Sequence, residues 1–114
     1  MDHKNLEAWK QSMLLVEEVY KASAKFPRQE TYGLTSQVRR AAVSIPSNLS
    51  EGAGRNGRRE YSNFLGISLG SLAELETQLI IASRLGYADI GELLIILNQV
   101  RSLLVGLRKH VQFR

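Results

Sequence analysis

The residues of this sequence with the clearest capacity for chemistry are arginines, and they lie in two regions. Residues 36–59 contain five arginines and a single acid, Glu51, and residues 101–114 contain four arginine or lysine residues and no acid. Residues 60–100, by contrast, contain five acids and one base. A guanidinium group binds phosphate or carboxylate oxygens with a planar fork of donors, so clustered arginines indicate an anion as partner. The basic residues predicted to contact a nucleic-acid backbone are Arg39, Arg40, Arg55, Arg58, Arg59, Arg108 and Lys109.

Arg58 and Arg59 are the most informative of these residues because of their position. They fall in the first turn of a predicted helix, where the positive end of the helix dipole disfavours cations. Charge at that position indicates a contact with phosphate. The alternative is that these bases are ordinary solvated helix ends. Only Tyr61 and Phe64 are close by in sequence, so recognition of single strands by aromatic stacking is not predicted there.

The sequence offers little for catalysis. His3 and His110 form no H-x-x-x-H or E-x-x-H pair, and no P-loop or dinucleotide fingerprint is present. Glu74 and Glu76 are two residues apart on a predicted helix, so their carboxylates point in different directions. The absence of cysteine excludes disulfides and thiolate sites. We therefore expect a protein that is not an enzyme and has no metal site and no cofactor.

The bulk composition is that of one globular domain, predicted over residues 1–114. The chain is 44% hydrophobic and 23% charged with a net charge of +4, which is within the ordinary globular range. Its N-terminus lacks an apolar leader, and its longest apolar run, Leu93 to Leu97, is far shorter than the ~20 residues of a membrane span. We expect a cytoplasmic protein without a membrane partner.

Four segments show the helical spacing of three and four between apolar residues, and none shows the alternation of a strand. They predict helices over residues 5–26, 35–52, 58–85 and from 89 onward, joined by short connections. This pattern predicts an all-α fold, an antiparallel up-down-up-down four-helix bundle. The predicted core residues are Leu6, Trp9, Met13, Val16 and Tyr20, with Leu15 and Val19 widening this face on one side; Val38, Ala42, Ile45 and Leu49; Tyr61, Leu65, Ser68, Leu72, Leu75, Leu79 and Ala82; and Ile90, Leu93, Leu97, Val100, Leu104, Leu107 and Val111.

Local signals predict how these helices begin, bend and end. Thr35 is expected to cap helix 2, and Asp89 with Glu92 to cap helix 4. Pro46 lies inside helix 2, where it predicts a kink. Gly86 is expected to end helix 3 in a left-handed conformation. The step from Gly66 to Gly70 in helix 3 predicts the close approach of another helix backbone.

The outer faces of helix 2 and helix 4 have compositions that suit contact with a partner. On helix 2, opposite the core residues, Arg40, Ser44 and Ser47 precede Glu51 and Arg55, which are spaced for an i,i+4 ion pair. This face is either solvated or a contact with a subunit or ligand, and Asn48 beside it could reach a neighbouring helix. On helix 4 the apolar residues exceed the needs of one core face, so this helix is either central or covered by another subunit. The excess residues are Leu94, Ile95, Ile96, Leu103 and Val105.

The segment from Gly33 to Gly52, GLTSQVRRAAVSIPSNLSEG, and the segment from Leu69 to Leu79, LGSLAELETQL, closely resemble one family. This family comprises bacterial four-helix-bundle proteins encoded in intervening sequences of 23S ribosomal RNA genes. The resemblance extends from Trp9 to about Val111. It implies a small bundle that assembles into a ring-like homopentamer. It also implies likeness to the accessory variability protein of diversity-generating retroelements, a basic pentamer that binds nucleic acid and a reverse transcriptase.

The resemblance also marks polar positions, most of which would tie helix 2 to helix 3. They are Arg39, Arg40, Ser44, Asn48, Glu51, Glu74 and Gln78. From the residues and the resemblance together we expect a non-enzymatic homo-oligomer, a pentamer, that binds RNA or DNA weakly and without sequence preference. The alternative is an interaction scaffold that binds a partner protein, such as a reverse transcriptase, and no nucleic acid.

Overall fold

The structure, a computed structural model, describes residues 2–113, and all of its regular secondary structure in that range is helical. The four α-helices are α1 (Glu7–Ser23), α2 (Leu34–Ala53), α3 (Arg58–Arg84) and α4 (Gly91–Phe113). Short 3-10 helices at His3–Asn5 and Arg28–Glu30 precede α1 and α2. No strand occurs in residues 2–113, so the predicted all-α four-helix fold is confirmed. Met1 and Arg114 of the predicted domain lie outside the described residues.

Helices α2 and α3 share the largest interface of the bundle. Gly52 makes their close packing possible, because a Cβ at this position would lie 2.8 Å from the Cβ of Phe64 and 3.3 Å from the carbonyl oxygen of Tyr61. Farther along, the hydroxyls of Ser44 and Ser71 share a hydrogen bond of 2.8 Å. The order of these pairs is the one that an up-down-up-down bundle requires. That topology and the kink at Pro46 stay predictions, and α2 continues through Pro46.

The predicted core is correct for three of the four helices. All four predicted core residues of α2 are fully buried, and most of those of α3 and α4 are buried too. Tyr61 and Leu107 are only half-buried. The core of these helices consists mainly of leucine, which packs in well-defined rotamers around the bundle axis.

The predicted core face of α1 is correct only at its edge, because Leu15 and Val19, which are expected to widen it, are fully buried, whereas the seam itself is wrong. Its buried residues are Ala8, Ser12, Leu15, Val19 and Ser23. The predicted residues Leu6, Trp9, Met13 and Val16 lie at the margin, half-buried, and Tyr20 is 43% exposed. The face of α1 that packs into the core is therefore rotated away from the predicted seam and toward Leu15 and Val19. The buried hydroxyl of Ser12 is satisfied within α1, where it donates to the carbonyl of Trp9 at 2.9 Å.

The helix ends agree with the predictions at some positions and differ at others. Thr35 does not cap α2, which begins one residue earlier; the Glu30 carboxylate instead accepts from the Leu34 N–H at 3.2 Å. Gly86 ends α3 with a φ of 78°, as predicted. The Tyr87 N–H bonds to the Ala82 carbonyl at 2.9 Å, which is the Schellman pattern. Asp89 accepts from the Gly91 N–H at 3.1 Å and caps α4.

Within a single chain, the prediction that another helix backbone lies close to Gly66 and Gly70 is wrong. A Cβ at Gly66 would lie 2.8 Å from Nη2 of Arg108, so this glycine makes room for a guanidinium group rather than for a backbone. Gly70 is exposed and has open space in front of it. The tight helix contact is at Gly52, where the sequence predicts only a helix end.

Helix α3 is the one described helix that is long and apolar enough to cross a membrane. About a third of its most apolar window is buried inside the bundle. The core helix of a bundle meets the same two criteria of length and apolar composition, so this finding by itself is not evidence for a membrane role.

Candidate nucleic-acid interface

Three of the predicted basic residues come together at the start of α3. Arg58 and Arg59 in its first turn and Arg108 near the end of α4 line an open cleft of about 570 Å³, which we call the α3 cleft. None of its lining residues is acidic. They are Gly57, Arg58, Arg59, Ser62, Asn63, Arg108 and Gln112.

Arg108 is held in place by α3. Its Nε donates to the Ser62 hydroxyl oxygen at 3.3 Å, and Nε2 of Gln112 donates to the same oxygen at 3.1 Å. The guanidinium group lies against Gly66, where any side chain would collide with it. Because Ser62 is buried and Gly66 has no side chain, Arg108 is held beside the second and third turns of α3, and its Nη atoms remain to bind an anion.

The electrostatics of the α3 cleft favour an anion. Gly57 at the N-cap of α3 offers no side-chain acceptor to the N–H groups of the first turn. The helix dipole adds about half a positive charge at this end. A phosphate in the cleft would therefore meet backbone N–H groups, the dipole and three guanidinium groups together, which is a common anion-binding arrangement.

Arg39 and Arg40 lie at the other end of α2, in a second open cleft of about 590 Å³. We call it the α2 cleft; its lining residues are Tyr20, Thr31, Tyr32, Thr35, Ser36, Arg39, Arg40, Val43 and Ser44. Ser44 at its margin pairs with Ser71, which follows Arg59 by 12 residues of α3. At 1.5 Å per residue this is about 18 Å along the helix. Arg59 is therefore separated from the α2 cleft by more than the screening length of ~8–10 Å in physiological salt.

The two arginines of the α2 cleft have different roles in the fold. Arg39 is anchored to α1, because its Nε donates to the Ser23 hydroxyl at 2.8 Å and its Nη2 to the Tyr20 carbonyl at 3.3 Å. Its guanidinium group also lies over the Tyr20 ring, 4.5 Å from the centroid. Arg40 is exposed, and within residues 2–113 its side chain makes no hydrogen bond or ion pair.

Arg55 and Lys109 do not join either cluster. Arg55 is paired with Glu51 at 3.5 Å, as the i,i+4 spacing predicts, and with Glu60 at 3.9 Å. Two carboxylates therefore compete with any phosphate for Arg55. Lys109 is exposed on α4 and is not among the residues that line the α3 cleft. A nucleic-acid contact at these two positions stays a prediction.

Among the polar positions marked by the family resemblance, the expected tie between α2 and α3 is found at Ser44, whereas Arg39 bonds to α1 and Gln78 bonds within its own helix. Asn48 does not reach the neighbouring helix; its Nδ2 donates within α2 to the carbonyl and the hydroxyl of Ser44, both at 2.9 Å. Ser44 in turn bonds to Ser71 of α3. On α3, Nε2 of Gln78 donates to Glu74 at 3.1 Å, and Oε1 of Gln78 is buried without a partner among the described residues.

Several residues that shape the two clefts carry no signal in the sequence. Ser62 and Gln112 hold Arg108, and no spacing rule links residues 46 and 50 positions apart. Tyr20 has the spacing of a core residue, and Tyr32 lies in a loop without a periodic pattern. Both tyrosines reach the α2 cleft only because the fold brings the end of α1 and this loop beside α2.

A possible catalytic serine is excluded by its surroundings. Residues 66–70 match G-x-S-x-G, a pattern that places a nucleophilic serine on a sharp turn after a strand. Here Ser68 is fully buried in the middle of α3 and donates to the Ile45 carbonyl at 2.9 Å. It therefore ties α3 to α2 and is not an exposed nucleophile. No group of three or more histidine, aspartate or glutamate side chains that could hold a metal lies within the described part of the chain.

Comparison with known proteins gives one family. The family model described as 23S rRNA-intervening sequence protein matches residues 4–108, nearly the whole chain. No curated protein matches the sequence.

Proposed function

This chain belongs to the family of 23S rRNA-intervening sequence proteins, and from that premise we propose that it is a non-enzymatic homo-oligomeric bundle that binds nucleic acid. The binding is weak, independent of base sequence and directed at backbone phosphates. The observation that carries this proposal is the α3 cleft, in which Arg58, Arg59 and Arg108 surround the start of a 27-residue helix.

The geometry of the α3 cleft explains why the partner would be a phosphate backbone rather than a base. Guanidinium groups and helix N–H groups supply only donors, which suits the oxygens of a phosphate. Contacts to phosphates fix position but carry no sequence information. With a net charge of only +4 and two separate clefts, each protomer would neutralise few phosphates.

Exposed apolar residues support the oligomeric part of the proposal. Ile67 and Ile81 on α3 are 50% and 43% exposed, and Ile95 on α4 is 61% exposed. Contiguous exposed apolar patches mark surfaces that another subunit covers, and these three residues are the positions at which we propose such a contact. The family resemblance implies five copies. A ring would also repeat the α3 cleft around the assembly, which raises the avidity of individually weak phosphate contacts.

The proposal is tested by fluorescence anisotropy with labelled RNA and DNA over a salt series starting near ~50 mM. We expect binding whose logarithm falls linearly with the logarithm of the salt concentration. Absence of binding at low salt, or binding that salt does not weaken, would refute the nucleic-acid function. A partner protein captured without nucleic acid would then favour the scaffold alternative.

Three variants assign the binding to the α3 cleft. Arg59→Ala should lower the salt slope by about one for each phosphate that the protein no longer neutralises. Gly66→Ala should do the same while keeping every charge, because its new methyl group would displace the Arg108 guanidinium. The control is Arg84→Ala in the last turn of the same helix, which removes an exposed arginine far from the cleft. Equal losses in the control and the two cleft variants would show that only net charge matters.

A further inference from the structure

The α2 cleft combines aromatic rings with guanidinium groups, which the α3 cleft does not. Tyr32 is 97% exposed, so both faces of its ring are open to solvent. Tyr20 is 43% exposed, but the Arg39 guanidinium covers its ring at 4.5 Å. Tyr32 is therefore the ring of this cleft on which another planar group can stack.

The charges around Tyr32 suit a nucleotide. None of the residues lining the cleft is acidic. Glu30, two residues before Tyr32 in the chain, has its carboxylate occupied by the Leu34 N–H and by the Tyr87 hydroxyl. Arg40 is exposed with no protein partner in the described chain. A phosphate can pair with Arg40 without competition from a neighbouring carboxylate.

Part of the cleft is already positioned before a ligand arrives. The hydrogen bonds of Arg39 to Ser23 and to the Tyr20 carbonyl use two of the five N–H groups of its guanidinium. The remaining N–H groups and the hydroxyls of Thr35 and Ser36 line the same space. The volume of about 590 Å³ is within the range of sites for small organic ligands.

We infer that the α2 cleft is a subsite for one unpaired nucleotide, whose base stacks on Tyr32 and whose phosphate pairs with Arg40. This inference rests on the proposed nucleic-acid function and adds to it a preference for single strands. The bases of a duplex are stacked on each other inside the helix and cannot lie on Tyr32. Stacking accepts any base, because every base has a π-face. The subsite therefore adds affinity without adding base preference.

The test compares a labelled single-stranded oligonucleotide of uridines with a blunt RNA duplex of equal length, both at low salt. We expect Tyr32→Ala to weaken single-strand binding roughly ten-fold to a hundred-fold, the usual effect of removing one aromatic stacking partner. Duplex binding should be unchanged. Tyr32→Phe keeps the ring and should bind as the wild type does. Gln29→Ala, an exposed change in the preceding 3-10 helix, is the matched control.

Three results would overturn the subsite. They are unchanged single-strand binding by Tyr32→Ala, an equal loss for single strand and duplex, and a lower assembly mass of Tyr32→Ala in light scattering, which would make Tyr32 a subunit contact. If any one of these results is found while the wild type still shows salt-dependent binding, the proposed function stands and only the subsite fails. If the wild type binds neither RNA, both fail together. Since Tyr32 is almost fully exposed, its substitution should leave the helical content unchanged by circular dichroism.

Discussion

Gly52 is the residue whose missing side chain lets α2 lie against α3. A methyl group there would approach both the Phe64 Cβ and the Tyr61 backbone, and backbone cannot move aside cheaply. We expect Gly52→Ala to lower the free energy of unfolding by about 1–3 kcal/mol, the usual cost of overpacking. Urea denaturation followed by circular dichroism measures this change.

Gly70 supplies the matched comparison, because it lies in the interior of α3 and faces open space. Gly70→Ala should raise the free energy of unfolding by about 0.5–1 kcal/mol, since alanine loses less backbone entropy than glycine in a helix. A Gly52→Ala protein as stable as Gly70→Ala would show that the α2–α3 contact is looser than the structure indicates.

The single residues that sequence reasoning misses share one property, which is that their role depends on a partner distant in the chain. Gly52 reads as a helix end because glycine near a C-terminus is a local stop signal. Its contact with Phe64 needs the turn between α2 and α3. The pairing of Glu51 with Arg55, by contrast, is predictable because the two residues are only four apart in the chain, at the end of α2.

At the scale of elements, apolar periodicity predicts a core face well when the large residues are also the buried ones. This holds for α2, where Val38, Ala42, Ile45 and Leu49 are all fully buried. It fails for α1, because packing buries Ala8 and Ser12 and leaves Trp9 and Met13 at the margin. The buried face of α1 also contains the large apolar residues Leu15 and Val19. Periodicity by itself does not decide between this face and the seam that contains Trp9 and Met13. The same spacing wrongly places Tyr20 in the core, so the sequence does not predict that Tyr20 lines the α2 cleft.

The side chain of Glu30 links the segment before α2 to the segment that connects α3 and α4. Its carboxylate accepts from the first N–H of α2 and, at 2.9 Å, from the hydroxyl of Tyr87, which follows the end of α3. This hydrogen bond raises the pKa of Tyr87 above its ordinary value near 10, with further contributions from desolvation and from the charge of Glu30. The Tyr87 ring also packs against Phe26, with 5.8 Å between centroids.

The raised pKa of Tyr87 gives a prediction with a definite sign. A group whose pKa is raised by folding stabilises the native state fully below its unfolded pKa, near 10, and loses that contribution as the pH rises through the folded value. Tyr87→Phe lacks the bond at every pH. We therefore expect the wild type to exceed Tyr87→Phe in urea midpoint at pH 8, and the difference to shrink above about pH 10.

Tyr32→Phe is the control for this pH effect, because Tyr32 is exposed and its hydroxyl makes no bond within the described residues. Its urea midpoint should follow that of the wild type at both pH values. A Tyr87→Phe difference that is constant from pH 8 to pH 11 would mean that the link between the two connections is not broken by ionisation of Tyr87.

At the scale of the whole molecule, the main question is what covers the outer face of α4. The run from Leu93 to Leu97 is apolar around the whole helix. Leu93 and Leu97 are buried, Leu94 and Ile96 are half-buried against the core, and Ile95 is 61% exposed. Leaving such a side chain in water forgoes up to roughly 2–3 kcal/mol of burial. The sequence predicts excess apolar character here, and the structure of one chain leaves Ile95 and Val105 uncovered.

If this face is the subunit contact of the proposed homo-oligomer, Ile95→Lys should separate the subunits without unfolding them. Burying an unpaired ammonium group in an apolar contact costs more than the contact supplies, whereas in a separate chain the introduced side chain would lie in water. We expect light scattering to give five times 12.8 kDa for the wild type and a much lower mass for the variant at equal helical content. Ala24→Lys, at the exposed end of α1, adds the same charge and should keep the wild-type mass. A wild-type protein with the mass of one chain would refute the oligomer. An Ile95→Lys protein with the wild-type mass would show that the subunit contact lies elsewhere. Ile67 and Ile81 of α3 would then be the next positions to change.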